Sequence, residues 1–179
     1  ALLLAAKHGH EDVVKELIVA GACVDVFDKL GNTPLLVAAG TGRVDVVRRL
    51  VSARASAFVW NAAGDTALNC ALAKVHMDVV SELVPLQDED GNTFLSLAAQ
   101  AGDVDMAKKL LDANASAHVA NKDGKAPLWL AVDRDHQAMV LLLGNVVDAD
   151  KNSAVAIAAQ NGDMMLLNKL IASKAALNG

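Results

Sequence analysis

The strongest constraint on this chain is that it repeats itself. A leucine returns as Leu17, Leu50, Leu83, Leu110, Leu143 and Leu170, at steps of 33, 33, 27, 33 and 27 residues. A second apolar position keeps the same register as Leu2, Leu35, Leu68, Leu95, Leu128 and Val155. So does a pair of small or apolar residues, Ala5-Ala6, Ala38-Ala39, Ala71-Leu72, Ala98-Ala99, Ala131-Val132 and Ala158-Ala159. A repeat of this length is one supersecondary unit that cannot bury its apolar face alone, so neighbouring copies must stack.

One full copy, Thr93 to Lys125, shows what the unit is. Leu95, Ala98 and Ala99 share one face of a short helix. Met106, Ala107, Leu110 and Leu111 fall at the spacing of a second amphipathic helix. Ala101-Gly102-Asp103 joins the two, with Gly102 placed where a tight turn asks for positive φ. The small, polar run from Asp112 to Ser116 ends the second helix, Ala117 to Lys125 reads as an extended arm, and Asp123-Gly124 supplies its turn. The composition agrees: 54% of residues are hydrophobic, yet only 3% are aromatic, so Ala, Leu and Val dominate. Small side chains of this kind let helices stack closely.

The segment Gly31-Asn32-Thr33-Pro34-Leu35-Leu36-Val37-Ala38-Ala39, followed by Gly42, Val46-Val47 and Leu50-Val51, resembles the ankyrin-repeat family. Gly9, Gly102 and Gly162 match its inter-helix glycine, and Gly21-Ala22 its helix-ending pair. The resemblance runs through the whole chain. It implies an all-α solenoid of about six helix-turn-helix repeats with β-hairpin-like tips, forming a single domain over 1–179. The repeats are expected at about 1–27, 28–60, 61–87, 88–120, 121–147 and 148–179, the third and fifth shortened by the loss of loop and hairpin arm. The chain starts in mid-repeat, as a fragment of a longer array would.

Departures from the family pattern are informative. Leu36, Asn69, Ser96, Trp129 and Ala156 stand where the family usually has His, so that residue's hydrogen bonds cannot be carried over. Trp129 is expected to pack against Ser96 and Ala156. Val75 and Asp135 replace the inter-helix glycine, where a strained or differently shaped turn is expected.

Other chemistries are excluded residue by residue. The net charge of −5 gives no general reason to expect nucleic acid. Arg43, Arg48, Arg49 and Arg54 gather on one outer helix as a solvated face. Only Cys23 and Cys70 are present, so neither a disulfide framework nor a thiolate metal site is expected. The acidic turns Asp88 to Asn92 and Asp148 to Asn152 lack the bidentate acid of a calcium loop. His8-Gly9-His10 straddles a turn, and His10, His76 and His136 share one scaffold position. Gly40-Thr41-Gly42-Arg43 lacks the lysine of a phosphate loop. No nucleophile or acid/base pair emerges, so no catalytic residue, metal or cofactor is expected.

The resemblance implies that a partner meets the hairpin tips and the concave inner-helix surface. The candidate residues at those positions are Phe27, Lys29, Leu30, Trp60, Asp65, Lys74, Glu89, Asp90, Asn92, Lys122, Asp123, Lys125, Asp133, Arg134 and Asp150. Phe27, Leu30 and Trp60 make the early part apolar, and the later part is charged and mostly acidic. Phe27 and Trp60 either anchor a partner or pack sideways between hairpins; in the first case the acidic tips steer a basic segment of that partner. The expected partner is another protein or a peptide, with no nucleic acid, no membrane insertion and a cytoplasmic location. The alternative is a structural spacer that self-associates through exposed ends such as Met165 and Leu166.

Overall fold

The computed structural model describes residues 1–146, 156, 159–160 and 162–173. Among them every regular element is a helix, and the helices come in short antiparallel pairs. The chain divides into two compact units, 1–88 and 89–179. The first holds α1 (Leu2–His8), α2 (Glu11–Val19), α3 (Pro34–Gly40), α4 (Val44–Ser52), α5 (Ala67–Ala73) and α6 (Met77–Leu83). The second holds α7 (Phe94–Ala101), α8 (Val104–Asp112), α9 (Pro127–Asp133), α10 (Gln137–Gly144) and α11 (Met164–Ser173).

Stacking follows the registers of the sequence. In the first unit the inner helices α1, α3 and α5 pack in a row and the outer helices α2, α4 and α6 in a second row. In the second unit α7 packs on α9, α8 on α10, and α9 on α11. The helix-closing leucines Leu50, Leu83, Leu110, Leu143 and Leu170 are almost wholly buried, as are Leu2, Leu35, Leu68, Leu95 and Leu128 of the inner helices. Ala6, Ala38, Ala39, Ala71, Ala99 and Ala131 have no accessible surface, so the backbones of stacked inner helices meet there. The registers are not followed everywhere: Leu17, Leu72 and Val132 are only half-buried, Ala159 is exposed, and Val155 and Ala158 lie outside the described residues.

Helix ends recur at matching positions of several repeats. Thr33, Thr66 and Thr93 cap α3, α5 and α7 by accepting from the amides of Leu36, Asn69 and Ser96, each cap worth about 1 kcal/mol. The second helices of the long repeats, α2, α4 and α8, end in one repeated way. The amides of Ala22, Ala55 and Ala115 reach back to the carbonyls of Leu17, Leu50 and Leu110, with Gly21, Arg54 and Asn114 at positive φ before them.

The turns between paired helices are equally uniform. Gly9, Gly42 and Gly102 are left-handed, and so are Val75 (φ 59) and Asp135 (φ 57) in their place. The expected irregularity at these two positions is therefore strain within an unchanged turn. At Gly102 a side chain is excluded twice, because an added Cβ would also lie 2.8 Å from Nδ1 of His136. That histidine comes from the following inter-helix turn and reaches back to this one, its Nε2 being 3.0 Å from the Gln100 carbonyl oxygen.

The arms between helix pairs span 20–33, 53–66 and 113–126, but only 84–93 after α6, which is the shortening expected of the third repeat.

Candidate functional site

Three of the fingers that carry the candidate residues are shaped by one Asx side chain each. Asp28 Oδ1 accepts from the amides of Leu30 and Asn32. Asn61 Oδ1 does the same for Ala63 and Asp65, and Asn121 Oδ1 for Asp123 and Lys125. The turn closes by a backbone bond from Asp28, Asn61 or Asn121 to the carbonyl four residues on. The tips are thus Asx-capped turns, with no strand among the described residues. At the first finger, the bonds from the Asn32 side chain and backbone and from Leu30 hold the Asp28 carboxyl below its ordinary value.

Neighbouring fingers within a unit are stitched together. Asn61 donates from Nδ2 to Asn32 Oδ1, and the amide of Ala62 to the carbonyl of Leu30. In the second unit Asn121 donates to Asn92, and the amide of Lys122 to the carbonyl of Asp90. The fingers approach so closely that a Cβ at Gly91 would lie 3.1 Å from the Lys122 nitrogen.

In the first unit these fingers present a bare apolar surface. Phe27, Leu30 and Trp60 are 74, 64 and 72% exposed, with Val26 and Val59 also exposed beside them. Side chains this exposed are not packed between hairpins. Lys29 is exposed at the first tip, and Asp65 belongs to the second turn through its backbone. Lys74 is committed: its Nζ donates to the Gly40 carbonyl at 2.8 Å, tying α5 to α3. The arginine face is solvated, with Arg43, Arg48 and Arg54 exposed, and two of its members are paired. Arg49 pairs with Glu11 at 2.6 Å and Arg48 with Glu82 at 2.8 Å, linking α4 to α2 and α6. The Glu82 contact raises the affinity of Arg48 for its proton.

In the second unit the candidates converge. Asp90, Asn92, Lys122, Asp123 and Lys125 from the fingers face Asp133 and Arg134 from the end of α9, around an open groove of about 370 Å³. Gln100, Asn121 and Leu130 complete its lining, and Leu130, nearly buried, is its one aliphatic side chain. Lys125 lies with Nζ 4.2 Å above the ring of Trp129, and Lys169 of α11 approaches the same ring at 5.7 Å. Lys169 also pairs with Asp133 at 3.6 Å. Glu89 is exposed but outside the groove lining, and Asp150 lies outside the described residues.

Ankyrin repeats, in three copies of one family model, match residues 1–59, 54–121 and 95–178. The chain belongs to the ankyrin-repeat family. Its fold is accordingly the all-α repeat solenoid of that family. It is 35% identical over 98 residues to neurogenic locus notch homolog protein 1 of Mus musculus and of Cricetulus griseus, and 34% identical to that of Homo sapiens. The match covers 51% of this chain and 4% of the length of those relatives. No helix among the described residues is long and apolar enough to cross a membrane.

Several residues that build this ankyrin surface were not visible as candidates. Asn61 and Asn121 organise the fingers, and their signal was an Asx-x-x-Gly spacing at 28–31, 61–64 and 121–124. Ser96, at the family's histidine position, shares a hydrogen bond with the capping Thr93 through its hydroxyl at 3.1 Å. Trp129 serves as a platform for two lysines, a role that its register did not reveal. Lys169 comes from a different repeat altogether, and no local pattern could have joined it to Asp133 or Trp129.

Proposed function

We propose that this chain is a non-catalytic module that binds a protein or peptide through its fingers and the ends of its inner helices. Ankyrin repeats generally mediate protein–protein interaction, and the observation that carries the reading here is the groove of the second unit. Seven candidates chosen only by their repeat position, Asp90, Asn92, Lys122, Asp123, Lys125, Asp133 and Arg134, line one opening. The apolar fingers of the first unit supply a second element of the reading. Phe27, Leu30 and Trp60 expose the large apolar side chains of which interface hot spots are made.

The test is affinity capture with the wild-type chain, a Phe27→Ala/Trp60→Ala variant and a Lys122→Ala/Arg134→Ala variant, read by mass spectrometry and confirmed with the purified partner. Loss of the same partner from either variant, with the helical circular dichroism unchanged, supports the reading. A partner retained by both sinks it.

A second reading is self-association. Of the two end residues expected to be exposed, Met165 is 60% exposed and Leu166 half-buried, and Met164 (60%) and Ile171 (49%) add apolar surface that a second copy could cover. Light scattering decides between the two. A concentration-dependent oligomer that vanishes in Met164→Gln/Met165→Gln favours self-association.

A further inference from the structure

We propose that the groove of the second unit selects an acidic partner segment, seating a partner carboxylate among Lys122, Lys125 and Arg134; this deepens the protein-binding reading and rests on it. The sequence pointed the other way, toward a basic segment steered by acidic tips.

The reason for the reversal is which charges are already engaged. Among the carboxylates, Asp133 is held by Lys169 at 3.6 Å. Among the cations, Lys125 and Lys169 rest against the face of Trp129, which orients an ammonium group and leaves its charge in place. Lys122 and Arg134 have no ion-pair partner among the described residues. The lining itself holds three cations, Lys122, Lys125 and Arg134, and three carboxylates, Asp90, Asp123 and Asp133. With Asp133 paired to Lys169 from outside the lining, three cations face two carboxylates on a chain whose net charge is −5.

Locality decides what such a site can take. Screening confines exposed charges to about 8 Å at physiological salt, so one or two partner carboxylates respond to the groove. A long polyanion such as nucleic acid responds to the acidic remainder as well and is disfavoured. Geometry favours a carboxylate further, because the guanidinium of Arg134 presents a planar fork that matches one. The polar backdrop is fixed in place: the Asn121 side chain is used by Asn92, Asp123 and Lys125, and the Gln100 carbonyl by His136. Recognition therefore falls to the three cations.

The experiment pans a random library of short peptides on the immobilised 179-residue chain. Recovered peptides are then measured by fluorescence anisotropy against the wild type and Lys122→Glu/Arg134→Glu, with Lys108→Glu on the exposed side of α8 as a control outside the groove. The expected result is enrichment of Asp- or Glu-bearing peptides whose affinity falls on the order of tenfold or more in the groove variant, as for a lost charge-assisted pair. The control should bind as the wild type does, and added salt should weaken binding. Enrichment of basic or uncharged peptides, acidic peptides indifferent to the groove variant, or tighter binding of a single-stranded oligonucleotide each overturns the proposal. Capture of a partner that depends on Phe27 and Trp60 would still stand in any of these cases, which separates failure of this proposal from failure of the binding reading.

Discussion

Val75 is held at φ 59 with its side chain 72% exposed, a β-branched residue in the conformation that glycine occupies at Gly42 and Gly102. Little packing offsets that strain. Val75→Gly is therefore expected to raise stability by about 1 kcal/mol, the left-handed penalty minus the added entropy of an unfolded glycine. Gly102→Ala should do the reverse and lose about 1–3 kcal/mol, since it adds left-handed strain and pushes a Cβ against His136. Urea denaturation of both variants checks the pair, and equal midpoints would refute the strain argument. A second residue-scale expectation concerns pH. The Asp28 carboxyl is held below its ordinary 3.8 by Asn32 and Leu30. A depressed folded value means that its contribution is present above the ordinary value and lost as the pH falls through the lower one. The amide resonances of Leu30 and Asn32 should accordingly titrate with a midpoint below 3.8, and a midpoint at or above it would show that the bonds do not persist in solution. That Val75 would be strained was legible in the sequence, because it stands at a glycine register. That Asp28 would be the organiser of its finger was legible only as a spacing, whose meaning depends on hydrogen bonds.

At the scale of the element, each of the three Asx-capped fingers depends on one side chain. Asn121 shapes its own turn by accepting from Asp123 and Lys125 and joins the next finger by donating to Asn92. Asn121→Ala removes all three bonds and is expected to lose about 1–3 kcal/mol. Hydrogen exchange at Asp123 and Lys125 should accelerate before the amides of α8 and α10 respond. Uniform acceleration across the unit would mean that the finger is not a separable element. The helices themselves were readable from periodicity, caps and glycines, since each depends on residues a few positions apart. The fingers were less so. Their extended arms and Asp-Gly turn suggested hairpins, but the arms pair with neighbouring fingers through single bonds, such as Ala62 to Leu30, and form no strand among the described residues.

For the molecule as a whole, stability should be carried by nearest-neighbour stacking. Leu50 has no accessible surface where α4 packs on α2, α3 and α6. Leu50→Ala is expected to cost about 2–5 kcal/mol, and protection from exchange should fall most in α2, α4 and α6. A loss centred on the inner row α1, α3 and α5 would contradict this assignment. The sequence by itself determined the helix pairs, the repeat registers, the buried leucines and the shortened arm after α6, because all of these follow from intervals along the chain. It also placed seven of the groove residues, by repeat position alone. It could not determine the charge that the groove presents. Asp133 is engaged by Lys169, and Lys125 and Lys169 share the face of Trp129, through contacts between repeats. An ion pair depends on distances of a few ångströms between side chains that stand far apart in the sequence, so only tertiary structure decides which charges remain available.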